Sequence, residues 1–188
     1  IDAPVTLPAI LNRTIHQDYQ EVISHLPAKF VDLLFLDPPY NLEKRYNNTT
    51  FQKKRGEDYR QWMEKWLEPT IRLLKPTASI YICCDWETSP LVYQAVKRYF
   101  KIRNRITWER EKGRGAFRNW KNSLEDIWFC TVSSRYTFNL DAVKLKRLVI
   151  APYTHNGGEP KDWEKTEAGN FRLTHPSYHV PKTYLVQV

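Results

Sequence analysis

Residues 30–41 of the chain read FVDLLFLDPPYN, an almost unbroken apolar run that ends at two consecutive prolines. A short apolar run of this kind predicts a strand that is buried on both faces, as in parallel sheets. Pro38 and Pro39 fix φ in two successive residues and remove two N–H donors, so the turn after the strand is rigid. The stretch therefore predicts a strand, buried on both faces, whose carboxyl end presents Asp37 and Tyr40.

The rest of the chain alternates apolar runs with helical patterns. Further strands are predicted at Ser79–Cys84, Ile102–Trp108 and Asp126–Val132, and helices at Asp18–Leu26, Tyr59–Leu74 and Pro90–Phe100. The polar stretch Leu42–Gly56 is expected to be a mobile loop. Strands joined by helices predict a mostly parallel sheet with helices on its faces, an α/β fold of the doubly wound kind. Ligands of such folds bind outside the carboxyl ends of the strands.

The turn after the first strand has the groups needed to hold an exocyclic amine. The Asp37 carboxylate and the Pro38 carbonyl can each accept a hydrogen bond from the amine, and Tyr40 offers a flat face on which the base can stack. Two acceptors draw an aromatic amine toward sp³ geometry and localise its lone pair for attack on a methyl sulfonium. A base reaches such a site only after it has left the duplex stack. The alternative is a purely structural turn capped by Asp37.

The charge of the chain favours a polyanionic partner. Lys and Arg number 29 against 21 Asp and Glu, which gives a net charge of +8 and a pI near 9.4. A basic loop with interleaved aromatic residues follows the third strand. The residues predicted to contact DNA are Asn41, Arg110, Lys112, Arg114, Phe117, Arg118, Trp120 and Lys121. The alternative is a solvated loop with Phe117 or Trp120 packed into the core.

The stretch His16–Asn41 resembles the start of the β-group S-adenosylmethionine-dependent DNA amino-methyltransferases. Asp18, Leu26-Pro27 and the DPPYN turn follow one another in the order that this family shows. Later segments resemble the family in the same order: Leu73–Pro76 with Ser79–Tyr81, Ile106–Trp108 with Lys112–Arg114, and Asn119–Phe129, which includes Glu125.

The resemblance implies a Rossmann-like methyltransferase sheet, here incomplete, with about four of the family's seven strands. It implies that Asp37, Pro38, Pro39 and Tyr40 are catalytic, and that Asp18 and Asp37 bind the cofactor S-adenosylmethionine. The implied partner is double-stranded DNA. Aspartate at position 37 usually accompanies adenine in this family, and serine often accompanies cytosine, so methylation at N6 of adenine is expected rather than at N4 of cytosine. Restriction–modification is the expected setting.

Domain boundaries follow from the same resemblance. Residues 1–135 correspond to part of a methyltransferase catalytic domain. Residues 136–188 are expected to be an irregular segment that resembles the family's target-recognition region, followed by a truncated tail.

The family's donor-binding segment has no counterpart in the sequence. That segment has the form Asp-Pro-Phe-x-Gly-x-Gly, and none of the 6 glycines lies in such a turn after an apolar strand. Three interpretations stay open: a fragment of a longer enzyme, one half of a split enzyme, or an inactive truncated product. In each, the first strand is expected to border the absent strands and to leave an exposed edge, which predicts a second chain, a homodimer or marginal stability.

Other classes of protein are disfavoured. Cys83, Cys84 and Cys130 form no CxxC motif and lie in apolar runs, so neither a metal site nor a disulfide framework is expected. No apolar run approaches about 18 residues, so no membrane helix is expected. The first residues lack the features of a signal peptide. The expected location is the cytoplasm of a bacterium or archaeon, in association with the nucleoid.

Overall fold

The computed structural model of the chain describes residues 1–46, 49–110, 117–118, 120–143, 163–165, 167 and 171–173. These residues divide into one compact unit, residues 1–138, and a second unit that begins at Asn139. The elements of the first unit are α1 (Leu7–Ile10), α2 (Tyr19–Val22), β1 (Val31–Leu36), β2 (Lys44–Tyr46), β3 (Thr49–Phe51), α3 (Gly56–Thr70), β4 (Leu74–Cys84), α4 (Ser89–Val96), β5 (Lys101–Glu109) and β6 (Leu124–Thr131), with 3₁₀ turns at Ile23–His25 and Ile71–Leu73. The second unit contains α5 (Leu140–Val143) and the antiparallel pair β7 (Trp163–Lys165) and β8 (Phe171–Leu173).

The first unit is built on a four-stranded sheet in the order β1–β4–β6–β5. β1 and β4 are parallel, whereas β6 is antiparallel to both of its neighbours. β1, β4 and β5 therefore point the same way, which confirms the predicted mostly parallel sheet. β6 reverses because it pairs with β5, the preceding strand, and an antiparallel pair needs no crossover helix. The carboxyl ends of β1 and β4 and the amino end of β6 consequently lie side by side at the same end of the strands.

The core lies between one face of this sheet and the two longest described helices, α3 and α4. Ile80 and Ile82 of β4 point to this face and are fully buried. On α3, the buried residues Tyr59, Met63 and Leu67 recur every four positions and form the face that packs on the sheet. Burying each large apolar side chain contributes about 1.5–3 kcal/mol. This packing holds the first half of α3 against the turn that follows β1.

The burial of β1 differs from the prediction. Leu34 and Leu36 pack against the core, but Leu33 and Phe35 are each 61% exposed. Successive side chains of a strand point to opposite faces, so described residues cover only one face of β1. The expectation that this strand is buried on both faces is therefore wrong. β1 is also the outermost strand of the described sheet, which agrees with the predicted edge position.

Several element boundaries differ from the sequence prediction, and α4 ends at Val96 rather than at Phe100. The predicted loop at residues 42–56 contains the antiparallel hairpin of β2 and β3, in which Lys44 lies opposite Phe51. The strand predicted from Ser79 begins at Leu74, and its pairing with β1 is irregular between these two residues. The helix predicted to run to Leu74 ends at Thr70, where a 3₁₀ turn takes over.

The first unit extends to Phe138, three residues beyond the predicted boundary at 135. The reason is an aromatic cluster on the sheet face opposite α3 and α4. The Phe129 ring stacks on Tyr81 at 4.8 Å and contacts Tyr136 and Phe138 at 5.9 and 6.1 Å. After residue 138 the described elements are α5, β7 and β8, and the character of residues 136–188 as a whole stays a prediction.

Cys83, Cys84 and Cys130 are all buried and all free. Within the described part of the chain, no helix is long and apolar enough to cross a membrane.

Candidate functional site

The DPPY turn, residues 37–40, lies where the carboxyl ends of β1 and β4 come together. Asp37 follows the last residue of β1 directly and is exposed, whereas Pro38, Pro39 and Tyr40 are half-buried. Glu125 lies at the same edge because β6 runs in the opposite direction and begins there. The topology thus brings a carboxylate from β6 to a turn that is 85 residues away in sequence.

A residue of α3 holds the backbone of the DPPY turn. The Tyr59 hydroxyl donates a hydrogen bond to the Pro39 carbonyl at 2.9 Å, and burial raises the pKa of this phenol. No described residue donates to the Pro38 carbonyl. The Pro38 carbonyl, which the sequence predicts as an acceptor for an amine, therefore accepts from no described residue. The neighbouring Pro39 carbonyl is held by Tyr59.

Asn41 connects the DPPY turn to two other segments. It is 7% exposed, its Nδ2 donates to the Lys54 carbonyl at 2.9 Å, and its Oδ1 accepts from the Lys54 N–H at 2.7 Å. Its backbone N–H donates to Thr88 Oγ1 at 3.2 Å. The sequence predicts Asn41 as a DNA contact and gives no signal for this structural role, because its partner Lys54 lies 13 positions away. A direct DNA contact by Asn41 stays a prediction.

Tyr40 is positioned by a short chain of polar contacts. Its hydroxyl donates to Glu125 Oε2 at 3.4 Å, and Glu125 Oε1 accepts from the Arg110 guanidinium in an ion pair. Burial is the main cause that raises the pKa of the Tyr40 phenol, and the nearby carboxylates of Glu125 and Asp37 raise it further. Tyr40 is therefore a neutral phenol at physiological pH, with a ring suited to stacking. Arg110, a predicted DNA contact, is paired with Glu125 in this structure.

A cavity of about 340 Å³ opens beside the DPPY turn. Asp18 and Asp37, the two residues predicted to bind the cofactor, both line it. Asp18 is also the N-cap of α2, where its carboxylate accepts from the Gln20 N–H at 2.8 Å. The other lining residues are Tyr19, Gln20, Phe35, Leu36, Pro38, Pro39, Trp62 and Trp66. Two carboxylates and an aromatic wall suit a ligand that combines hydroxyl or ammonium groups with a flat ring.

The indole side chains of this wall lie within the helix that the sequence predicts at Tyr59–Leu74, but the sequence does not identify them as site residues. Trp62 and Trp66 are four residues apart on α3, and their rings lie 5.8 Å from each other. Trp62 also contacts Tyr59 at 5.3 Å. A pair of tryptophans at helical spacing was the available signal, but periodicity does not distinguish a core residue from one that lines a cavity.

The basic loop after β5 is described only in part. Phe117 and Trp120 are 97% and 95% exposed, so the alternative in which either is packed into the core is excluded. Arg118 and Lys121 are exposed as well. The predicted contacts Lys112 and Arg114 lie outside the described residues.

Comparisons with known proteins assign the chain to a family. Residues 31–165 match the N6/N4 family model described as DNA methylase. The DNA adenine methyltransferase YhdJ of Escherichia coli K12 is 27% identical over 158 residues, which cover 80% of this chain and 53% of that protein. The type II methyltransferase M.HpaI of Haemophilus parainfluenzae is 31% identical over 159 residues, which cover 81% of this chain and 50% of that protein.

A solved structure shows the same fold. The PvuII DNA methyltransferase, described as cytosine-N4-specific, aligns with a TM-score of 0.54 at 15% identity and covers 68% of this chain and 51% of that one. The chain spans about half the length of the two curated relatives above. The family model matches well over half of the chain, and the DPPY turn lies within the match. The chain belongs to the N6/N4 DNA methylase family.

Proposed function

We propose that the chain is the catalytic part of a DNA methyltransferase that transfers a methyl group from S-adenosylmethionine to N6 of an adenine flipped out of the duplex. The observation that carries this proposal is the rigid DPPY turn at the mouth of the sheet. There the exposed Asp37 carboxylate, a Pro38 carbonyl that accepts from no described residue, and the half-buried Tyr40 ring lie in four consecutive residues.

The chemistry follows from the two acceptors. The amine of a flipped base donates one hydrogen bond to Asp37 and one to the Pro38 carbonyl, while the base stacks on Tyr40. Stacking on an aromatic side chain contributes roughly 1–3 kcal/mol per base, which offsets part of the cost of unstacking. The nitrogen lone pair then attacks a methyl group in line. An N–C bond forms as the S–C bond of the donor breaks, the rest of the donor leaves as a neutral thioether, and the proton that the amine loses passes to the Asp37 carboxylate that holds it.

The donor's place in this proposal is the cavity lined by Asp18 and Asp37. The two carboxylates can accept hydrogen bonds from the amino and hydroxyl groups of S-adenosylmethionine, and Trp62 and Trp66 offer a surface for its purine. When bound there, S-adenosylmethionine supplies the electrophilic methyl group. Asp37 borders both this cavity and the position proposed for the base, so it can hold the amine next to the donor.

The assignment to adenine rests on residue 37 and on one relative. Aspartate at this position resembles the adenine-specific members of the family, and the E. coli relative is named as an adenine methyltransferase. The solved structure with the same fold is named as cytosine-N4-specific. Both bases present an exocyclic amine that two acceptors can hold, so the product must be identified directly.

Methyl transfer to DNA tests the proposed function. The chain is incubated with tritiated S-adenosylmethionine and duplex DNA of mixed sequence, and the digested nucleosides are separated. We expect the label in N6-methyldeoxyadenosine and a decrease of about 100-fold or more in Asp37→Ala, the size typical of removing one hydrogen bond to the transition state. Asp32→Ala is the matched control, because Asp32 is an exposed aspartate of β1 that pairs with Lys75 at 2.6 Å. Label in N4-methyldeoxycytidine, or full activity of Asp37→Ala, would contradict the proposal.

A second candidate function is a DNA-binding part that needs another chain for its donor site. The observation that favours it is the lack of the family's glycine-rich turn in a sequence with only 6 glycines. Calorimetric titration with S-adenosylmethionine separates the two. Micromolar binding that weakens in Asp18→Ala supports a donor site within this chain, whereas a folded chain that binds DNA without binding S-adenosylmethionine supports the second candidate.

A further inference from the structure

A second, larger groove lies along the outer side of α3. It has a volume of about 510 Å³. We call it the basic groove and define it by its lining residues, which are Lys53, Lys54, Arg55, Asp58, Gln61, Trp62 and Lys65. Four of these side chains are cationic and one is a carboxylate, so the groove is positively charged. None of its residues was among the DNA contacts predicted from the sequence.

Two local features build the basic groove. Asp58, Gln61, Trp62 and Lys65 are spaced at i, i+3, i+4 and i+7 on α3, which places them on one side of the helix. The three consecutive cations, residues 53–55, follow β3 and lead into α3. They are held in place because the Lys54 N–H and carbonyl both form hydrogen bonds with the Asn41 amide.

The charges of the basic groove are poorly compensated within the described part of the chain. Arg60, outside the groove, is flanked by the carboxylates of Glu57 and Glu64. Arg55 and Lys65 are exposed and form no ion pair with any described residue. Two cations without a described carboxylate partner favour binding of an anion.

The remaining two cations of the groove have weak partners. Lys53 pairs with Glu87 at 3.1 Å, and both side chains of this pair are exposed. Such exposed surface pairs contribute little to stability, so a phosphate can replace the carboxylate. Lys54 lies 5.5 Å over the Phe51 ring, which leaves its charge available.

Trp62 connects the basic groove to the DPPY site. It lines the basic groove and also the cavity that contains Asp37, Pro38 and Pro39. Contacts with Phe51 at 5.4 Å and with Tyr59 and Trp66 fix its ring. The basic groove therefore adjoins the cavity beside the DPPY turn, with Trp62 as the side chain that the two share.

We propose that the basic groove binds the sugar–phosphate backbone of the DNA strand that delivers its base to the DPPY turn, with Arg55 and Lys65 as phosphate contacts. This inference rests on the proposed function for the identity of the nucleic acid. Cations in a row beside an indole that lines the same groove fit a chain of phosphates with interspersed bases. The groove supplies affinity and orientation, and the DPPY turn supplies the chemistry.

The test is DNA binding by the double variant Arg55→Gln/Lys65→Gln, measured by fluorescence anisotropy with a labelled duplex at several salt concentrations. We expect binding to weaken about tenfold or more, and the slope of log K against log salt to become shallower by about 0.9 for each phosphate that is no longer neutralised. The matched control is Lys75→Gln/Lys97→Gln, which removes the same charge. Lys75 lies near the start of β4, and Lys97 lies between α4 and β5. Both are therefore at the amino ends of these strands, opposite the end that carries the DPPY turn.

Each outcome has a defined meaning. Equal weakening in both double variants, or none in Arg55→Gln/Lys65→Gln, overturns the proposal, and so does a chain that binds no duplex at low salt. If inorganic phosphate or deoxyadenosine monophosphate displaces the duplex at low millimolar concentration, the groove is a small-anion site and the proposal of a backbone site is wrong. Methyl transfer by the unchanged chain separates the two proposals. If it transfers no methyl group but Arg55→Gln/Lys65→Gln weakens duplex binding as expected, only the proposed function fails. If it transfers methyl groups and this double variant binds duplex as the unchanged chain does, only the groove proposal fails.

Discussion

At the scale of single residues, Asn41 shows how the DPPY turn is kept in place. Three hydrogen bonds from one buried residue tie this turn to the segment before α3 and to Thr88, which caps the region where α4 begins. The Thr88 N–H itself is held by the Asp85 carboxylate at 2.7 Å. The position of the DPPY turn thus depends on segments that follow three different strands, β1, β3 and β4.

Asn41→Ala should lower the free energy of unfolding by about 1–3 kcal/mol, because it leaves the Lys54 N–H and carbonyl without their buried partners. Chemical denaturation of the variant measures this directly. Asn122→Ala is the matched control, since Asn122 Oδ1 also accepts from a backbone N–H, that of Leu124 at 3.1 Å, but in an exposed position. We expect a decrease below about 0.5 kcal/mol there. Equal decreases in the two variants would show that burial of Asn41 is unimportant.

At the scale of elements, β1 leads directly into the DPPY turn and also carries an exposed apolar surface. Leu33 and Phe35 project from the face that no described element covers, and the outer edge of β1 has no described partner strand. Edges of this kind promote pairing with other chains unless charge or shape prevents it. Asp32 of β1 carries a charge at this edge and pairs with Lys75 of the neighbouring strand β4.

Leu33→Lys should reduce self-association of the chain, because it places a charge on the exposed face of the outermost strand. Sedimentation velocity at increasing protein concentration measures the effect, and we expect the apparent mass of the wild-type chain to rise with concentration more steeply than that of Leu33→Lys. Gln94→Lys adds the same charge to the exposed side of α4 and should behave as the wild type. Identical mass profiles for all three proteins would rule out β1 as an association edge.

The elements also show what the sequence can predict. Apolar runs identify β1, β4, β5 and β6, and the DPPY turn lies at the sheet edge where the doubly wound layout places a ligand. The apolar run at residues 30–36 led to the wrong prediction that both faces of β1 are buried. An apolar pattern does not show which elements cover each face of a strand. The contacts of Tyr40 with Glu125 and of Asn41 with Lys54 were not predicted, since each joins positions without a periodic relation. The basic groove was missed because Arg55 and Lys65 belong to different segments.

At the scale of the whole molecule, the buried thiols link stability to pH. Burial is the main cause that raises the pKa of Cys83 to about 11, with help from the carboxylates of Asp37 and Glu125, and it raises the pKa of Cys84 and Cys130 to about 12, from an ordinary value of 9.0. Below pH 9 the thiols are protonated in both the folded and the unfolded chain. Above pH 9 the unfolded chain loses these protons first, so higher pH favours unfolding.

The free energy of unfolding should therefore fall between pH 9 and pH 11, and Cys130 should contribute about 1 kcal/mol per pH unit to that slope. Denaturation with guanidinium under reducing conditions at pH 8, 9 and 10 measures it. Cys130→Ala leaves a small cavity and should lower stability at every pH, but it removes one titrating thiol and should flatten the decline above pH 9. A Cys130→Ala protein whose stability declines as steeply as that of the wild type would show that this thiol does not drive the effect. The raised pKa values of Tyr40 and Tyr59 act in the same direction at still higher pH, so the comparison is made at pH 10 and below.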